Sequence, residues 1–315
     1  MGRGFPDAGG EPLMLQITEQ QVLAKLTMAK AVELVEISFR QLADGTAVNH
    51  PRRRVILATG SILHYMAAGN GQYFGTKVYS SNPKTGAHFT FLLYRSADGL
   101  PIAQIEANHL GQIRTGAASG VATKFLARED ASTLGIIGTG FQAETQIEAM
   151  SAVRKLTEVR VWSRKQERRE AFAAKCAERF GLNVQAVETA REAVEGADIV
   201  VTATSSKEPV LESAWISAGT HINAMGSNWL IKRELPTDLV LDCGALVTVD
   251  SVEDALLESG DLVTPMKERG LTAVPAINFS PDVKRESASQ ITIFKSNGLA
   301  IQDVVAAGFL YESYS

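Results

Sequence analysis

The sequence predicts an α/β chain in which a doubly wound parallel sheet adjoins an α+β unit. Three observations carry this. Strand-like and helix-like runs alternate from about Thr115 to Asp250. The stretch before it holds a helix followed by short β-like runs separated by turn signals. A Gly-x-Gly turn sits where the first strand of the alternating part should pass into a helix. At 315 residues the chain is long enough for two cores. The change of texture divides it into 11–120 with 292–315 as one domain and 121–291 as the other.

Residues 1–12 are rich in Gly and Pro and read as a loose tail. Thr18, with Gln21 three residues on, opens a helix whose apolar residues Val22, Leu23, Leu26, Ala29, Val32, Val35 and Leu42 recur at helical spacing up to Asp44 and Gly45. Short runs at 54–59, 75–80, 89–94 and 102–107, parted by Asn82-Pro83, Thr85-Gly86 and Asp98-Gly99, suggest an antiparallel sheet. A small-residue helix over 116–127 leads into strand candidates 134–137, 158–162, 184–187, 199–203, 221–224 and 246–249, enough for a doubly wound sheet. From Thr292 the chain holds a last amphipathic helix, centred on 301–310, that can return to the first domain.

Composition excludes several partner classes. Lys and Arg total 31 against 35 Asp and Glu, a net charge of −4 with the basic residues scattered, which offers no footprint for nucleic acid or an anionic membrane. No run approaches the roughly 18 apolar residues of a membrane span. Cys176 and Cys243 lie far apart without metal or disulfide spacing, so a reducing cytoplasm fits. The five histidines, His50, His64, His88, His109 and His221, show no metal-ligand spacing and read as structural. No metal site and no nucleophilic serine or cysteine is indicated.

The chemistry-bearing motif is Gly138-x-Gly140-x-x-Ala143. Gly138 permits the tight turn after the strand, Gly140 admits a pyrophosphate close to the backbone, and Ala143 keeps the helix near the sheet. The N–H groups from Phe141 and Gln142 onward face the phosphates. The next strand ends in Ser163, Arg164 and Lys165, with Arg168 beyond. An NAD-selective site holds an acid there, whereas this basic cluster suits a ribose 2′-phosphate, so NADP(H) is expected over NAD(H).

With these residues in place, the sequence resembles the ornithine cyclodeaminase/μ-crystallin family from about Leu15 onward. The matching stretches are 50–53, 75–77, 112–118, 138–143, Ala203 to Ser205 with Pro209 and Val210, 222–226 before Glu234 and Leu235, and 296–300 with Asp303. The resemblance implies a Rossmann domain beside a substrate-binding and dimerisation domain that pairs two subunits into a homodimer. It puts Arg53 and Arg114 on the substrate carboxylate and Lys77 at the reacting carbon and nitrogen. It lines the cofactor groove with Thr115, Thr204, Ser205, Asn223 and Ser296. A forked guanidinium suits a carboxylate, although in the run Arg52-Arg53-Arg54 the register can shift the role by one residue. Lysine beside two arginines is pushed toward its neutral form, and a bound carboxylate opposes that, so its acid or base role stays open.

The resemblance implies one hydride-transfer site with several outcomes. The leading expectation is an NADPH-dependent reductase of an α-imino acid, a cyclic ketimine of five or six ring atoms giving proline or pipecolate. The alternatives are an ornithine cyclodeaminase, an alanine-type dehydrogenase and a non-enzymatic NADPH-binding protein. One departure favours the first. Asn228 stands where the cyclodeaminases are understood to carry an Asp that deprotonates the distal amine, and an amide cannot take that proton. The plainer reading of Asn228 is a cap on the loop before Trp229.

Overall fold

The computed structural model describes residues 14–315, so the expected N-terminal tail lies outside the described residues. The chain runs β1 (Leu15–Ile17), α1 (Glu19–Lys25), α2 (Met28–Ala43), β2 (Val48–Ile56), β3 (Ile62–Gly69), β4 (Tyr73–Asn82), β5 (Gly86–Arg95), β6 (Pro101–Glu106) and α3 (Asn108–Leu126). It continues through β7 (Thr133–Ile137), α4 (Phe141–Val153), β8 (Glu158–Trp162), α5 (Gln166–Phe180), β9 (Val184–Ala186), α6 (Ala190–Val194), β10 (Ile199–Thr202) and β11 (His221–Ala224). It closes with α7 (Thr237–Leu241), β12 (Leu246–Val249), α8 (Val252–Glu258), α9 (Gly260–Glu268), β13 (Ile277–Asn278), β14 (Thr292–Lys295) and α10 (Ala300–Tyr314).

The expected single helix over 18–45 is two helices. Thr18 forms the capping box with Gln21, and Thr27 then caps a second helix by accepting from the Lys30 N–H. Two threonine hydroxyls nine residues apart thus start two helices along one apolar face. Strands β2 to β6 pair antiparallel in sequence order, and β1 joins β6 in parallel, giving a six-stranded sheet. Strand β3 is an addition to the expected runs, and β2 begins six residues before the run expected at Arg54.

The second sheet has eight strands, all parallel, in the order β13-β12-β14-β11-β10-β7-β8-β9. Its order reverses between β7 and β10, which opens a crevice at the carboxyl ends of those strands. Central strand β10 is buried on every residue, as a sheet covered by helices on both faces requires. All six expected strands are present. Strand β14, which the sequence reading grouped with the first unit as part of 292–315, instead pairs with both β11 and β12. The chain leaves this sheet only at α10.

Helix α3 begins eight residues before the small-residue helix expected at Gly116, because His109, Gln112 and Arg114 interrupt its apolar pattern while still pointing into structure. It crosses position 120, where the sequence reading put a boundary, and one continuous core runs from Phe91 and Ile105 on the six-stranded sheet through α3 to Ile136 and Val159 on the other. Close approach needs small residues: a Cβ on Gly116 would stand 2.6 Å from the Thr145 carbonyl oxygen in α4. Gly116→Leu is therefore expected to destabilise the protein by at least roughly 1–3 kcal/mol, read from urea unfolding, while an exposed helix substitution such as Glu178→Gln in α5 leaves stability within about 0.5 kcal/mol.

Candidate functional site

A cavity of about 570 Å³ lies between the two sheets, beside the crevice. Strand β4 sends alternate side chains into it: Lys77, Tyr79 and Ser81. Strand β3 adds His64 and Met66, and α3 adds Gln112, Arg114 and Thr115. The loops after β11 and β14 complete the wall with Asn228, Trp229, Ser296 and Asn297. Among the described residues, the wall holds Arg52, Lys77 and Arg114 and no Asp or Glu.

The carboxylates that balance these cations stand behind them. Asp303, fully buried on α10, accepts from Lys77 Nζ at 2.9 Å and from Arg114 Nε at 3.3 Å. Arg114 Nη1 also donates to Gln302 Oε1 at 3.2 Å, which fixes the guanidinium plane. Burial pushes Lys77 down to about 8, with Arg114 acting the same way and Asp303 opposing. On the far side, Glu258 of α8 accepts from Arg52 Nη1 and Arg54 Nη2, both at 2.7 Å. Arg54 reaches onward to the Asn228 carbonyl at 3.0 Å and lies over the Trp229 ring at 4.4 Å.

Arg53 is the main correction. Side chains alternate along β2, so Arg52 and Arg54 face the cavity side while Arg53 is exposed on the outer face beside Val55. The ladder slips between His50 and Arg53, where Pro51 has no N–H to give, and this bulge decides which arginine enters. Arg52 occupies the place expected of Arg53.

Loop anchors are buried acids that sequence reasoning missed. Asp250 accepts from the Ser296 hydroxyl at 3.0 Å and the N–H groups of Asn297 and Gly298. Those residues in turn offer their carbonyls to Arg52 Nη2. Gly298 has φ +85°, and a Cβ there would strike Arg114. Glu234 accepts from the N–H groups of Thr204 and Gly226 and from the Thr202 hydroxyl, tying together the loops after β10 and β11. Burial raises its affinity for a proton, as does neighbouring Asp261. Asp303 and Glu234 did lie in matched stretches, but nothing in their spacing shows which cations or amides they face.

The glycine turn fits a dinucleotide. Gly138 has φ +111° and a Cβ on it would meet the Ala203 carbonyl, whereas Gly140 has open space around its missing Cβ. No side chain caps the α4 N-terminus, which leaves the N–H groups of Phe141 and Gln142 for an anion, and Ala143 is buried against the sheet. Thr139 donates to the Ser163 hydroxyl at 3.1 Å, joining the turn to the end of β8, where Arg164 is exposed. Thr115 lines the cavity while donating to the Gly111 carbonyl, Thr204 accepts from the Ser206 N–H, and Ser205 is exposed at the crevice. Asn223 is a second correction. Its side chain is fully buried against α3, Nδ2 donating to Thr123 Oγ1 at 2.9 Å, so it pins strand to helix and does not line the cavity. Buried and unpartnered in the cavity wall, the Asn297 amide leaves hydrogen-bonding capacity for a ligand. No group of His, Cys, Asp and Glu among the described residues could hold a metal.

Comparison with known proteins places this geometry. The profile of the ornithine cyclodeaminase/mu-crystallin family matches residues 11–315. A Delta(1)-pyrroline-2-carboxylate reductase of Bacillus cereus is 44% identical over 317 residues, covering 95% of this chain and 96% of that protein. An alanine dehydrogenase of Archaeoglobus fulgidus is 34% identical over 313 residues, covering 95% and 94%. The solved structure of the Thermococcus litoralis Delta(1)-pyrroline-2-carboxylate reductase in complex with NADH and L-proline superposes with a TM-score of 0.89 at 34% identity, covering 95% of this chain and 97% of that one.

The correction at β2 has a direct test. Arg52→Ala should abolish binding of a planar carboxylate such as pyrrole-2-carboxylate, measured by calorimetry, while Arg53→Ala leaves it within about twofold of the unmodified protein.

Proposed function

The chain belongs to the ornithine cyclodeaminase/mu-crystallin family, and from that premise we propose that it is an NAD(P)H-dependent oxidoreductase reducing an α-imino acid to the L-amino acid. The substrate of choice is a cyclic ketimine, 1-pyrroline-2-carboxylate or 1-piperideine-2-carboxylate. One observation carries this reading: the cavity wall presents three cations and no carboxylate. Such a wall attracts a carboxylate and offers no counter-charge at its surface to a distal ammonium, which disfavours the open-chain diamino acids a cyclodeaminase needs. Asn228 agrees, since its amide can hold an amine proton but cannot take it. Met66, Tyr79, Phe89 and Trp229 give the cavity apolar flanks for a ring. An alanine-type dehydrogenase, the activity named for the Archaeoglobus relative, has no ring to set against those flanks.

The chain's own residues divide the work. Arg52 and Arg114 hold the substrate carboxylate from two sides, fixing the imine carbon toward the crevice. Lys77, buried and poised near pH 8, manages the proton that the imine nitrogen must gain. Asn228 closes the far side without acting as a base. Gly138 to Ala143, Thr115, Thr204, Ser205 and Ser296 would hold the dinucleotide, which when bound supplies the hydride. Ser163 and exposed Arg164, free of any ion pair among the described residues, favour NADP(H) over NAD(H). The protein works as a homodimer through the outer face of the six-stranded sheet, where Val55, Leu63, Tyr65 and Phe74 are exposed. Its two unpaired cysteines suit a cytoplasmic setting.

Purified protein should oxidise NADPH with 1-pyrroline-2-carboxylate or its six-membered homologue, followed by absorbance at the nicotinamide band, and should release little ammonia from L-ornithine. Brisk ammonia release without net cofactor turnover, or binding of NADPH with no turnover of any imino or keto acid, would overturn the reading. Arg164→Asp should reverse the cofactor order, read as the ratio of Michaelis constants for NADPH and NADH. Equal constants in the unmodified protein would remove the assignment to Arg164.

A further inference from the structure

Arg52 cannot give its full fork to a ligand, because Nη1 is held by Glu258 and Nη2 by the carbonyls of Asn297 and Gly298. Only Nε lacks a protein partner. Arg114 has Nε on Asp303 and Nη1 on Gln302. A carboxylate can accept about four hydrogen bonds, so the described clamp leaves room for another donor.

Tyr79 is placed to supply it. Its backbone pairs with His64 on one side and Phe89 on the other, and the three rings stack as a cross-strand ladder. His64 lies 4.2 Å from Tyr79 at an interplanar angle of 3°, and Phe89 lies 4.7 Å away at 21°. Sandwiched rings cannot swing sideways, so the phenol is aimed along its own plane. Tyr79 lines the cavity two residues from Lys77 on the same face of β4, and its hydroxyl makes no hydrogen bond to the described residues. Arg52 lines the same cavity. His64, pushed down to about 4 by burial and by Arg54 and Arg52, is neutral at physiological pH, so the ladder brings no charge of its own.

We propose that the Tyr79 hydroxyl is a substrate-binding group, donating a hydrogen bond to the substrate carboxylate beside Arg52. The proposal rests on the reading that this cavity holds an α-imino acid. It adds a neutral donor, held in place by stacking, to a clamp otherwise built from cations.

Tyr79→Phe removes one oxygen and keeps the stacked ring, so the fold should survive with its melting temperature unchanged. Calorimetry with pyrrole-2-carboxylate, in the presence of saturating NADPH, should show affinity weakened about tenfold, the loss expected for one hydrogen bond to a charged group. The KM for the cyclic imine should rise in step while kcat stays within about threefold. Equal affinity of Tyr79→Phe and the unmodified protein overturns the proposal, as does an unmodified protein that fails to bind the probe. A protein that binds the probe with this tyrosine dependence yet reduces no imine sinks the catalytic reading and leaves the Tyr79 assignment standing.

Discussion

Two buried carboxylates, Asp303 and Glu258, hold four cations in place around one cavity, and the arrangement of both sheets follows from that. A buried guanidinium or ammonium without a counter-charge is expensive, and breaking such a pair from one side typically costs about 3–5 kcal/mol. Each acid sits on a helix from the C-terminal part of the chain, and each cation sits on β2, β4 or α3. The helices α8 and α10 are therefore fixed against the six-stranded sheet by charge as well as by packing. Because both carboxylates are already shared, the cavity keeps an appetite for an anion.

This arrangement also separates recognition from chemistry. Arg114 keeps Nη2 for a ligand while its Nε and Nη1 are spent on Asp303 and Gln302. Lys77 is moved into the range where proton exchange is easy because burial outweighs Asp303. On the opposite wall, where an acid would make the cavity hospitable to a second amine, Asn228 is held by its carbonyl through Arg54.

Much of the second sheet was legible because parallel strands buried on both faces read as unbroken apolar runs, as in Ile199 to Val201, and because Gly138 and Gly140 sit between strand and helix. The first sheet was less so. Strand β3 mixes Tyr65, Met66 and two alanines without a strong strand signature, and its neighbours define it. Lys77 and Arg114 were found through resemblance and do face the cavity, but Arg53 was one residue out because a bulge at Pro51 has no sequence period. Asn223 lies on β11 and points toward α3, away from the cavity. Asp250, Glu234, Glu258 and Asp303 were beyond reach for a shared reason: their partners are loop amides or cations brought together only by the fold.

The position of β14 and α10 at the end of the chain has a consequence for how the protein is made. Synthesis proceeds from the N-terminus, so Lys77 and Arg114 emerge 226 and 189 residues ahead of Asp303. Until β14 is translated, β11 and β12 have no strand between them, and the nascent sheet carries a slot with two open edges. The cavity therefore cannot close before α10 is made. A ribosome stalled after β12 and before β14 would present a partly folded parallel sheet, without Asp303 to hold Lys77 and Arg114 and with the slot exposed to whatever strand reaches it first.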